Sequence, residues 1–90
     1  MHYLLVIDTC PRNLSAYFPD VPGCVTTGKT VEQVRRNALE ALSLHFEDGE
    51  PLPQARSLEE ILESGDLELE DSSTLTWIDF EQASRQLATA

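Results

Sequence analysis

Three kinds of residue in this sequence could do chemistry, and each is tested first against what its spacing allows. Cys10, Cys24, His2 and His45 are the soft metal ligands and nucleophiles. They form no CxxC and no Cys/His pair at a zinc-ligand spacing, so no zinc site or nucleophilic dyad is expected. The two cysteines read as small buried hydrophobes, although a bridge between adjacent strands is geometrically conceivable. His45 falls on the apolar stripe of a helix and reads as a core or interface histidine. Gly23 and Gly28 stand alone, and Lys29 after Gly28 does not make a phosphate-cradling loop without a glycine cluster between strand and helix. The carboxylates Asp8, Asp20 and Glu40 are the third kind. Acids on a sheet can hold Mg²⁺ for phosphodiester cleavage, so a metal-dependent nuclease using these three is the enzymatic alternative. Their spacing is not diagnostic, and Asp20 reads more simply as a turn residue bonded to its own backbone. No catalytic residue, metal site or cofactor is therefore assigned.

The elements that would position these groups follow from periodicity. His2–Cys10 is rich in β-branched and aromatic residues, and both of its alternating sets, Leu4/Val6 and Tyr3/Leu5/Ile7, are apolar. A strand covered on both faces reads this way, so it is expected at the centre of a sheet. After Pro11-Arg12-Asn13, residues 14–18 alternate as a second strand. Pro22 and Gly23 then suit the two central positions of a type II turn, leading into a third strand at 24–28. Thr30-x-x-Gln33 opens an amphipathic helix as a capping box, with Val31, Val34, Ala38, Ala41, Leu42, His45 and Phe46 on one stripe. Gly49, Pro51 and Pro53 end it, and residues 49–56 read as a linker. Ser57-x-x-Glu60 opens a short second helix that stops at Gly65. Residues 66–71 alternate acids with leucines and take no assignment, and 74–80 returns as a fourth strand. The expected domain is a single α+β unit over residues 1–80, followed by a polar tail or short helix at 81–90.

Charge narrows the function classes. Sixteen acids face six bases among 90 residues, a formal net charge of −10. The half up to Phe46 is neutral. The whole excess lies from Glu47 onward, where twelve acids face only Arg56 and Arg85. Such a field repels phosphate backbones and steers basic surfaces inward, so direct nucleic-acid binding is not expected and a basic protein partner is. The longest apolar run, Tyr3–Ile7, is too short to span a membrane and has no basic leader before it. A soluble cytoplasmic protein is expected. A chain this small buries little surface, and its sheet edges need pairing, so self-association to a dimer or tetramer is expected as well.

The run Ala16-Tyr17-Phe18-Pro19-Asp20-Val21-Pro22-Gly23-Cys24-Val25-Thr26-Thr27-Gly28-Lys29-Thr30, with the helix that follows and the stretch His45–Pro53, resembles the HicB-like antitoxin family. The resemblance covers roughly two thirds of the chain. It implies a three-stranded antiparallel meander, a helix packed on the sheet and a further strand, in a partial RNase H-like arrangement without the nuclease centre. It also implies the partner: a small basic HicA-type toxin that cleaves mRNA, neutralised when its RNA-binding surface is covered. Phe18, Pro19, Pro22, Gly23 and Gly28 match the motif as turn and core residues, while Tyr17, Asp20 and Thr26 are the candidates for a partner-facing surface. Longer members carry a C-terminal DNA-binding domain. Only a short acidic and polar end follows the last strand here, which puts autoregulation by direct DNA contact in doubt. A homo-oligomeric module with no toxin partner is the remaining alternative.

Overall fold

The computed structural model describes residues 1–80; the expected tail or helix at 81–90 lies outside the described residues. Six elements follow one another: β1 (His2–Thr9), β2 (Leu14–Tyr17), β3 (Val25–Gly28), α1 (Val31–His45), α2 (Leu58–Ser64) and β4 (Thr74–Asp79). The strands form one sheet in the order β3-β2-β1-β4, every neighbouring pair antiparallel. β1 is thus an interior strand, as its two apolar faces require.

Alternation along β1 divides the interior in two. Tyr3, Leu5 and Ile7 face α1 and join Ala16, Phe18, Val34, Ala38, Leu42, Phe46, Ile78 and Phe80 in the main core. Leu4 and Val6 point the other way, into a smaller cluster with Ile61 of α2, flanked by Tyr17, Leu67 and Leu75. Burying each such aliphatic side chain is worth about 1.5–3 kcal/mol. α2 contributes just one fully buried residue, Ile61, so its caps carry a comparable share of its hold. The predicted capping box is complete: Glu60 N–H donates to Ser57 Oγ (3.2 Å) and Ser57 N–H to Glu60 Oε1 (3.1 Å). Gly65 closes the helix with φ of 81°.

Elsewhere the structure departs from the local expectations. At the start of α1, Thr30 Oγ1 caps the Gln33 amide (3.0 Å), but Gln33 Oε1 accepts from Lys29 N–H (2.6 Å) rather than from the cap residue itself. His45 is exposed, not buried: it sits in the last turn and meets the Phe46 ring edge-on at 4.8 Å. Val31, at the other end of the same stripe, is 43% exposed. The stripe overestimates the buried face at both ends of the helix: Val34, Ala38, Leu42 and Phe46 are its buried positions. The expected linker is instead a strap bound to the main core: Leu52 and Ala55 pack against it, and the buried Tyr3 hydroxyl donates to the Pro53 carbonyl (2.6 Å). Both cysteines are free thiols, Cys24 buried and Cys10 half-buried.

Candidate partner-binding face

The turn between β2 and β3 is built from two overlapping reversals. Val21 N–H donates to Phe18 C=O and Cys24 N–H to Val21 C=O, both at 3.1 Å. Pro19 and Pro22 preset the first central position of each, and Gly23 supplies φ of 86° at the second position of the latter. Phe18, Pro19 and Val21 turn inward, while Pro22 and Gly23 remain exposed.

Asp20 also turns inward. Its side chain is 1% exposed; Oδ1 accepts from Arg56 Nε at 2.6 Å and Oδ2 from the Arg56 backbone N–H at 2.9 Å. Two-point bonding of this kind is geometrically specific, and the buried carboxylate is fully compensated. Hydrogen bonding to Asp20 above all holds the guanidinium even more firmly protonated than usual. The other arm of Arg56 reaches Asp66 at 3.1 Å, so a single arginine ties the turn, the strap and the segment after α2 together. Asp20 is therefore an internal anchor, and Pro22 and Gly23 are the turn residues that meet the solvent. Burial raises the Tyr3 phenol, and the negative charge of Asp20 raises it further.

Tyr17 and Thr26 lie on opposite faces of the sheet. Register pairs Tyr17 with Val6 and Val25, on the α2 side, whereas Thr26 pairs with Ala16 beneath α1. Thr26 is half-buried beside Asn37, Glu40 and Ala41. The three candidates thus do not form one patch. On the α2 side, the Tyr17 hydroxyl meets both the carbonyl and the N–H of Glu68 at 3.4 Å. Ser73 Oγ donates to Asp8 Oδ1 (2.6 Å) and accepts from Glu70 N–H (2.9 Å). These bonds hold residues 66–73, which end in a turn closed by Ser73 N–H on Glu70 C=O (3.0 Å), as an acidic segment against the α2-side face of the sheet.

The enzymatic alternative finds no support in this arrangement. Asp8 faces the α2 side, Glu40 lies on α1 across the sheet, and Asp20 is committed to Arg56. Among the described residues, no group of three or more His, Cys, Asp or Glu is placed to hold a metal ion. Sequence reasoning missed Arg56, Asp66 and Glu68. Arg56 carried a signal: it is the sole base between Glu47 and Phe80, in a stretch otherwise rich in acids.

Comparison with known proteins agrees with this architecture. The profile of a HicB-like antitoxin of a bacterial toxin–antitoxin system matches residues 3–88. A chain in the structure of the HicA3 and HicB3 toxin–antitoxin complex superposes with a TM-score of 0.70 at 28% identity, covering 90% of this chain and 99% of that one. The crystal structure of antitoxin HicB3 gives 0.73 at 27% identity, over 92% of this chain and 64% of its own. The N-terminal domain of the Burkholderia pseudomallei antitoxin HicB gives 0.71 at 16% identity, over 90% and 99%, which shows the shared fold. An uncharacterized 14.9 kDa protein of Haemophilus phage HP1 is 35% identical over 66 residues, 69% of this chain. The present chain spans half the length of that curated relative. Among the described residues, no helix is long and apolar enough to cross a membrane. With a profile match over nearly its whole length, this chain belongs to the HicB-like antitoxin family of bacterial toxin–antitoxin systems.

Proposed function

We propose that this chain is the neutralising half of a toxin–antitoxin pair, a non-enzymatic cytoplasmic protein that binds a small basic mRNA-cleaving HicA-type toxin and covers the surface on which RNA would lie. The observation that carries the reading is the likeness, over 90% of the chain, to a protein solved in the HicA3 and HicB3 complex. The charge supports it. A net charge of −10 concentrated after Glu47 attracts the kind of surface that binds RNA and repels RNA itself, so direct nucleic-acid binding by this domain is not part of the proposal. The sheet order and the helix laid on one face suit the partial RNase H-like arrangement implied by the resemblance. Both outer strands, β3 and β4, leave one edge unpaired by any described strand, which supports self-association to a dimer or tetramer.

Co-expression tests the reading. Induction of the small basic product of the adjacent reading frame should arrest growth, and simultaneous expression of this chain should restore it. Growth arrest that persists despite soluble, folded antitoxin would refute neutralisation.

A further inference from the structure

Two shallow hollows lie side by side as a trough-like stretch of surface, with Tyr17 and Asp66 lining both. One end, about 420 Å³, is apolar and runs over Pro19, Pro22 and Val25. The other, about 320 Å³, is walled by Asp8, Glu68 and Glu70. No lysine or arginine lines either part. Val25, at 66% exposure, is the most exposed large hydrophobic residue described. The carboxylates of Glu68 and Glu70 have no cation partner among the described residues. Asp66 is already held by Arg56, and the backbone of Glu68 is held by Tyr17, so the segment that carries the acidic wall is tied down before any partner arrives. Exposed apolar surface beside unpaired like charges is costly in the free chain, and a cationic segment with an apolar neighbour relieves both.

We propose that this trough is the grip on the toxin: an arginine-bearing segment lays its stem and guanidinium over Tyr17, reaches Glu68 and Glu70, and seats an adjacent apolar side chain against Pro22 and Val25. The chemistry suits each part. A tyrosine ring accepts a cation on its face, arginine pairs with carboxylates through a planar fork, and a central apolar contact excludes water from both. The site rests on the toxin-binding reading above and adds to it where on the molecule that binding occurs.

The test measures the dissociation constant of the full chain for the purified small basic protein encoded beside it, by titration calorimetry in about 0.1 M salt, where surface charges are only partly screened. Glu68→Lys/Glu70→Lys should weaken binding at least tenfold, and Val25→Asp should do the same. Glu40→Lys/Glu47→Lys, which changes net charge equally on the α1 side, should stay within threefold of wild type. Thermal unfolding of each variant confirms that it is folded, and the lysine pair is chosen because both side chains are exposed. Groove variants that bind within threefold of wild type would overturn the site while leaving neutralisation standing, and an equal loss in the α1-side control would overturn it in favour of diffuse attraction. Loss of a dimer in Val25→Asp with toxin affinity unchanged would assign the trough to a second copy instead. Wild-type protein that does not bind at all would overturn both the site and the function it rests on.

Discussion

Gly28 ends β3 two residues before the Thr30 cap of α1, and the helix passes so close that a methyl group has no room. A Cβ at this position would lie 2.8 Å from Val34 Cγ2, 3.0 Å from Val34 N and 3.3 Å from Val34 Cα. Rotating the valine cures only the first contact, because the other two are with backbone whose N–H makes the first helical bond, to Thr30 C=O at 2.9 Å. Gly28→Ala must therefore push α1 away from β3, and overpacking of this kind costs about 1–3 kcal/mol. In a domain of this size that lowers the melting temperature by roughly 4–8 °C per kcal/mol, or about 4–24 °C in all. Far-UV circular dichroism followed against temperature and urea measures it. Val34→Ala removes the nearest atom, so Gly28→Ala/Val34→Ala should be less destabilised than the two single changes added together, by ~0.5 kcal/mol or more. Gly23→Ala offers a contrast. Nothing lies within 4 Å of its Cβ, and its cost of about 1–2 kcal/mol comes from φ alone and should be indifferent to Val34. A Gly28→Ala protein that melts within 1 °C of wild type, or strict additivity with Val34→Ala, would refute the close-approach argument.

Other perturbations probe the anchor and the titrating groups. Asp20→Asn replaces an acceptor facing an Arg56 N–H with a donor; the midpoint should fall by ~4 °C or more, and trypsin should cut after Arg56 faster in the folded protein. An unchanged cleavage rate would contradict the anchor. Burial raises both the Cys24 thiol and the Tyr3 phenol, so the folded state favours their neutral forms. That contribution is complete below the ordinary values of 9.0 and 10.0 and is lost as pH climbs through the raised ones. Urea midpoints should therefore decline above about pH 9, and Cys24→Ala should remove the earlier part of the decline. Glu60 behaves oppositely: bonds from the Ser57 backbone and then its side chain lower its carboxyl, so its contribution holds above the usual carboxylate range and fades as pH falls through it. Glu60→Gln should flatten the acid limb of the stability profile, and an unaltered limb would count against the capping box as its source.

What the sequence discloses here is whatever is decided within a few residues. Ser57 and Glu60 announce the start of α2, Pro22 and Gly23 the turn, and the doubly apolar β1 its interior place, because each depends on neighbours in the chain. What covers the second face of β1 was not legible: Ile61 and Leu67 reach Leu4 and Val6 from more than fifty residues away, and no periodicity records that pairing. The same holds for Asp20, whose partner lies 36 residues downstream in a stretch that reads as a linker. His45 was misplaced for a different reason. A helical wheel gives direction around the axis but not what packs opposite each turn, so a last-turn residue can share the buried stripe and still face water. Tyr17 and Thr26, both in the motif, were separated by strand alternation once the register was known.

The proposed function is that this protein stops a toxin by occupying the place of its RNA. Cleavage of a defined mRNA by the purified toxin, titrated with this chain at several RNA concentrations, tests that directly. Inhibition should be complete near equal molar amounts, with a midpoint that moves to higher antitoxin concentration as RNA is raised. Full cleavage in the presence of excess folded antitoxin, or an inhibition midpoint indifferent to RNA, would contradict it.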